Sequence, residues 1–205
     1  MDQYKGENRI VLRGQAAGVP VRSHQNHGVE YYVAPLRVPR LSGVDDVLNI
    51  VTADPDQAVW TVGNWVSVQG EVRSYNNRSG QGSKLVITVL ARSAQPGGPE
   101  EGENRLVLSG VLCRRPVVRR TPLGREICDL LLAVNRPYGR ADYLPCIAWG
   151  SLAAHCGALD VGDPLRLEGR LQSRQYHKLI DGEQVERTAF EVSVMNLLDS
   201  AEPQS

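Results

Sequence analysis

The densest group of cationic side chains lies between positions 114 and 125, with Glu126 as its one acidic neighbour. Its members are Arg114, Arg115, Arg119, Arg120 and Arg125. The planar fork of arginine suits phosphate contacts and stacking on flat rings. Since the 205-residue chain has 23 basic and 23 acidic residues, any basic surface must be local. The segment predicts contact with phosphates, with a solvated charge run as the alternative.

Other candidate groups lack the spacing that catalysis or metal binding requires. The four cysteines form no CxxC pair, which favours buried thiols over a zinc or redox site. His24 and His27 have no third ligand nearby. The stretch from Gly80 to Lys84 lacks the spacing of a phosphate loop. The sequence therefore predicts no catalytic residue, metal or cofactor.

Composition favours a turn-rich β protein in the cytoplasm. The chain holds 20 Gly and 12 Pro, which is above the usual share of roughly an eighth. No apolar run approaches the ~18–20 residues of a membrane helix, and the polar first residues predict no secretory signal.

An internal repeat divides the chain. Residues 7–53 align without a gap with residues 103–149, and 16 of these 47 positions are identical. We predict one domain over residues 1–94 and a second over 104–198. Between them, residues 95–103 are rich in Pro, Gly and Glu and predict a flexible linker. Residues 199–205 form a short tail.

The residue pattern of each repeat predicts three strands, a short helix and two long strands. Leu165, Leu167, Gly169 and Leu171 alternate with charged residues in the fourth strand of the second repeat. Helix starts are predicted at Asp54-Pro55 and at Ser151 as N-cap. We predict an all-β chain of two tandem OB-folds. Each is a five-stranded Greek-key barrel with its helix between strands three and four.

The second repeat resembles the bacterial single-stranded-DNA-binding protein family. Ordered motifs in one register carry the resemblance: 104–110 (NRLVLSG), 116–124 (PVVRRTPLG), 133–138 (AVNRPY), 142–149 (DYLPCIAW) and 168–176 (EGRLQSRQY). The resemblance implies an OB barrel that binds single-stranded DNA without reading its sequence, in replication, recombination or repair.

The resemblance also implies the binding residues. The family places stacking rings where this chain has Tyr138, Tyr143, Trp149 and Tyr176. The predicted phosphate contacts are Arg105, Arg114, Arg115, Arg119, Arg120, Arg136 and Arg174. Four to six such contacts give a log–log salt slope of roughly −3 to −4. A core position for the rings is the alternative.

The first repeat lacks these groups, because Tyr138, Tyr143 and Trp149 correspond to Ser42, Val47 and Ala53. We expect a mainly structural role for this repeat. Binding of a protein, or of DNA through another face, stays open.

Family members usually assemble four barrels, which predicts a homodimer of this two-barrel chain. They also carry a long acidic tail that recruits repair proteins, and the seven residues after the last strand do not predict such recruitment. The alternative function is a protein-interaction or primosome-type module with little DNA binding. The sequence does not separate DNA from RNA as the ligand.

Overall fold

The computed structural model describes residues 6–77, 84–98, 102–180 and 183–199. Contacts divide these residues into two units. The N-terminal unit comprises Arg9–Arg105 together with the described part of Gln172–Ala189. The C-terminal unit comprises the described parts of Met1–Asn8, Leu106–Leu171 and Phe190–Ser205. The predicted domain boundaries at 94 and 104 divide the chain into two continuous stretches. In the structure, each unit also includes a segment of the other stretch.

The first repeat forms six strands and one helix among the described residues. They are β1 (Asn8–Ala16), β2 (Val21–Asn26), β3 (Val29–Pro39), β4 (Asp45–Thr52), α1 (Gln57–Trp60), β5 (Trp65–Asn76) and β6 (Leu85–Pro96). The strands pair in the order β2-β3-β4-β6-β5-β1, and β1 pairs again with β3. This second pairing closes a barrel, and the β4–β6 pair is parallel.

The second repeat forms the same elements in its described part. They are β7 (Glu103–Leu112), β8 (Val117–Arg120), β9 (Glu126–Arg136), β10 (Arg140–Trp149), α2 (Ser151–Gly157), β11 (Pro164–Ile180) and β12 (Glu183–Leu198). The order is β7-β11-β12-β10-β9-β8, and β7 pairs again with β9. The prediction of tandem OB-folds with a short helix before the last two strands is confirmed.

Alternating apolar residues fill each barrel, as the period-2 sequence pattern requires. In β1, Ile10 and Leu12 are buried, and in β11, Leu167 and Leu171 are buried. The four-residue helix α1 contributes Trp60, which is 1% exposed. The barrels thus direct the alternate side chains of their strands outward.

Glycines allow the first strand of each barrel to contact two neighbours. Strand β7 pairs with β11 up to Val111 and with β9 from Val111 onward. A Cβ added at Gly110 would overlap the carbonyl oxygen of Ala133, and one at Gly14 would overlap that of Arg37. Only a residue without a side chain permits this approach.

Several predicted details were wrong. The first connection of each repeat holds an extra short strand, β2 or β8, because these residues pair with β3 or β9. The N-cap of α1 is Asp56, whose side chain accepts from the Ala58 N–H. The N-cap of α2 is Gly150, with no side-chain cap.

The linker bounds also change. Gln95 and Pro96 belong to β6, where they pair with Ser67 and Val66 of β5. Glu103 begins β7. Linker residues 99–101 and tail residues 200–205 lie outside the described part.

Candidate nucleic-acid interface

The outward face of β10 carries two of the predicted stacking rings. Asp142, Leu144, Cys146 and Ala148 are buried. Tyr143 and Trp149 occupy two of the alternate positions, with 48% and 38% of their surface exposed, whereas Ile147 between them is buried. Six residues of strand separate the two rings by about 20 Å. Both rings therefore lie on one side of the sheet with their surfaces open to a ligand.

Tyr138 lies in the tight turn that joins β9 to β10. The flanking residues Arg136 and Arg140 pair with each other, and Tyr138 has a φ of 65° with 96% of its surface exposed. A positive φ is uncommon for a residue with a Cβ, and such strain is concentrated at functional sites. The turn holds this ring in solvent at the end of the hairpin that leads to Tyr143.

Arg119, Ile127 and Trp149 form one row across β8, β9 and β10. Arg119 is paired with Ile127, and Ile127 with Trp149. One guanidinium of the arginine cluster therefore lies on the same face as the outward rings. We call the outward face of β8–β10, with Arg119, Tyr143 and Trp149, the ring face.

Asp129 occupies the same face and binds Arg119. Its two carboxylate oxygens accept from Arg119 Nε at 2.5 Å and from a second guanidinium nitrogen at 3.2 Å. The carboxylate raises the pKa of Arg119. Asp129 was not among the predicted site residues, because the continuous apolar run that follows it shows no alternation in the sequence.

Other members of the arginine cluster also have acidic partners. A guanidinium nitrogen of Arg115 lies 3.1 Å from Asp160 Oδ2, and one of Arg120 lies 3.2 Å from Glu126 Oε1. The pKa of Asp160 is lowered by the Val161 N–H and then by Arg115. Arg120 occupies the register opposite to that of Arg119, on the other side of β8. Arg114 is exposed in the connection before β8.

Arg136 has a structural partner that recurs in the first repeat. Its Nε lies 3.3 Å from the carboxylate of Asp142, which is fully buried. In the first repeat, Arg40 Nε donates to the buried Asp46 at 2.7 Å. A buried carboxylate needs such a partner. The geometry therefore favours positioning of the hairpin over the predicted phosphate contact of Arg136.

Three predicted site residues belong to the N-terminal unit. Arg105 is exposed on β7. The Arg174 guanidinium lies 5.8 Å from the centre of the Tyr176 ring, which is a cation–π distance. The other eight of the eleven predicted residues belong to the C-terminal unit: Arg114, Arg115, Arg119, Arg120, Arg136, Tyr138, Tyr143 and Trp149.

The thiols are poor candidates for chemistry. Cys128, Cys146 and Cys156 are buried, and burial raises the pKa of Cys156 to about 11 and that of Cys146 further. Protonated thiols are weak nucleophiles and ligands. No group of three or more His, Cys, Asp or Glu in the described residues is arranged to hold a metal ion. Neither helix of the described part has the length and apolar character that crossing a bilayer requires.

Comparison with known proteins finds a family match over the second repeat. Residues 103–198 match the model of the single-strand binding protein family. The match spans 96 of the 205 residues and covers the second repeat.

Curated single-stranded DNA-binding proteins are also similar to this chain. The chain is similar to a single-stranded DNA-binding protein of Halalkalibacterium halodurans, with 38% identity over 80 residues, covering 36% of this chain and 48% of that protein. It is also similar to single-stranded DNA-binding protein 3 of Listeria innocua, with 34% identity over 104 residues, covering 47% and 64%. The chain thus spans about half to two thirds of these relatives' length.

A solved structure matches both repeats. The wild-type single-stranded DNA binding protein from Thermus aquaticus superposes with a TM-score of 0.78 at 23% identity, over 98% of this chain and 96% of that one. At this identity the likeness concerns the fold alone, and it extends over both repeats.

Proposed function

We propose that the chain binds single-stranded DNA without sequence preference, mainly through the ring face and Tyr138 of the C-terminal unit. The observation that carries this proposal is the outward position of Tyr138, Tyr143 and Trp149. A buried ring would serve the core, whereas an exposed ring offers its flat surface to an unpaired base. Stacking on such a ring is worth ~1–3 kcal/mol per base and tolerates any base.

The cationic groups supply the second part of the interaction. Arg114 and Arg119 are exposed in the unit that holds the rings, and Arg119 shares the face of Trp149. Guanidinium groups bind the phosphates between stacked bases. Binding of this kind protects unpaired DNA, and we assign the chain to replication, recombination or repair in the cytoplasm. Neither contact requires a catalytic group.

Removal of the rings tests the proposal. A chain with Tyr138→Ala, Tyr143→Ala and Trp149→Ala should bind oligo-dT about a hundredfold more weakly, because three stacking contacts are lost. Fluorescence anisotropy of a labelled oligonucleotide measures the affinity.

The matched control keeps a ring at every position. The triple variant Tyr138→Phe, Tyr143→Phe and Trp149→Phe should bind within a few-fold of the parent. Equal affinities of the alanine variant and the parent would refute the proposal. Failure of the wild-type protein to bind oligo-dT at low salt would favour a protein-interaction module.

We also propose that two chains associate into a homodimer with four OB-folds. The support is the presence of two barrels in one chain of a family whose members usually assemble four. Sedimentation equilibrium should give twice the chain mass, and the mass of a single chain would contradict the dimer.

A further inference from the structure

Strand β3 of the N-terminal unit carries aromatic and cationic side chains on its outward face. Alignment of the two repeats does not reveal this face. Ala34, Leu36 and Val38 are buried. The alternate positions, from Tyr31 to Arg37, therefore point away from the barrel. On the neighbouring strand β4, the outward partner of Arg37 is Val47.

A stacked pair of rings occupies one end of this face. A register shift between Arg22 and His24 brings His24 opposite Tyr31. The two ring centres are 5.1 Å apart and the planes differ by 11°. The Ser23 hydroxyl lies 3.1 Å from His24 Nδ1. The exposed His24 thus has a fixed ring with one surface against Tyr31.

An arginine occupies the other end. The Arg37 side chain is 52% exposed, and its Nε lies 3.9 Å from Asp45, at the outer limit of an ion pair. Six residues separate Tyr31 from Arg37, which is the spacing between Tyr143 and Trp149. A guanidinium can stack on a base or bind a phosphate.

Arg37 of this face lies opposite a position at which the second repeat has a ring. Val47 corresponds to Tyr143 and faces Arg37. Ala53 corresponds to Trp149 and follows Thr52, the last residue of β4, which is paired with Tyr32. In the first repeat, the large side chains of the pair are on the β3 side.

We propose that His24, Tyr31 and Arg37 form a second binding site for single-stranded DNA, on the outward face of β3 in the N-terminal unit. A base extends the His24–Tyr31 stack, and Arg37 contacts the strand about 20 Å further along. The inference rests on the proposed function of the chain. It replaces the mainly structural role that the sequence predicts for the first repeat.

A binding assay tests the site in the full chain. The starting protein is the triple alanine variant of Tyr138, Tyr143 and Trp149, which retains the second site. Adding Tyr31→Ala should lower the remaining oligo-dT affinity at least about fivefold. His24→Ala, at an exposed position, should lower it in the same direction and covers the case in which Tyr31→Ala impairs folding.

Adjacent residues supply matched controls. Tyr32 is half-buried like Tyr31 but points to the other side of β3, where its hydroxyl donates to Glu30 at 3.1 Å. Arg22 lies on that side and binds Glu30 at 2.9 Å. Tyr32→Ala and Arg22→Ala should leave the affinity unchanged, whereas Arg37→Ala should lower it.

Ultraviolet cross-linking of wild-type protein to oligo-dT gives an independent readout. Peptides that contain His24 or Tyr31 should carry the nucleotide. The inference is overturned if the starting variant has no residual binding, if Tyr31→Ala and Tyr32→Ala act alike, or if cross-links are confined to residues 138–149. These outcomes leave the proposed function intact, whereas failure of wild-type protein to bind refutes both.

Discussion

At the scale of single residues, the carboxylates on and around the ring face are as informative as the rings. Asp129 and Asp160 occupy positions on Arg119 and Arg115 that a phosphate oxygen could take. A bound strand must therefore replace one anionic partner with another. Such exchange lowers the net gain from each arginine. These pairs and that of Arg120 with Glu126 offset three of the five positive charges of the cluster.

Removing the Asp129 charge should strengthen binding. Asp129→Asn frees Arg119 for a phosphate, and we expect an increase in oligo-dT affinity of up to about fivefold at low salt. The log–log salt slope should steepen by about 0.7, the contribution of one added contact to a single strand. Anisotropy titrations over a series of salt concentrations measure both quantities.

Glu126→Gln is the control for net charge. It removes the same charge from the pair with Arg120, on the opposite side of β8. If both variants raise affinity equally, the effect reflects overall charge. A lower affinity of Asp129→Asn would contradict the role of Asp129 as a competitor.

At the scale of elements, the closure of each barrel depends on a first strand that contacts two neighbours. The backbone of β7 approaches that of β9 at Gly110, where a methyl group would overlap the Ala133 carbonyl. The same approach occurs in the first repeat at Gly14. Because β9 leads into the turn with Tyr138, the closure also positions the hairpin of the ring face.

Gly110→Ala should destabilise the chain by about 1–3 kcal/mol, the usual cost of overpacking a close contact. Urea unfolding followed by circular dichroism measures the loss. Gly98→Ala is the control, because nothing lies within 4 Å of its added Cβ, and it should leave the midpoint unchanged. A Gly110→Ala midpoint equal to that of the parent would show that the strands can separate at no cost.

The sequence predicted the elements better than their contacts. Alternation and the 96-residue repeat identified the barrels, because both are local or periodic signals. Strand β8 has no alternation signal in the sequence, since its exposed residues Val117–Arg120 bury no face. The partner of Arg115, 45 residues away, is set by the fold and has no local signal. The Tyr31–Arg37 face has no signal in the alignment of the two repeats, because aligned positions do not show which residues lie opposite on the neighbouring strand.

At the scale of the whole molecule, a chain with no net charge binds a polyanion only through local surfaces. Base stacking then becomes a large share of the affinity, since it does not depend on net charge. Duplex DNA hides its base surfaces within the stack. We therefore expect the chain to discriminate single strands from duplexes through rings such as Trp149.

The emission of Trp149 tests this account most directly. Trp60 is buried and Trp65 half-buried, so Trp149 is the tryptophan on the ring face. Titration with poly-dT should strongly quench the wild-type emission, duplex DNA should quench it little, and Trp149→Phe should remove most of the quenching. Unchanged wild-type emission, or equal quenching in Trp149→Phe, would contradict stacking of bases on the ring face.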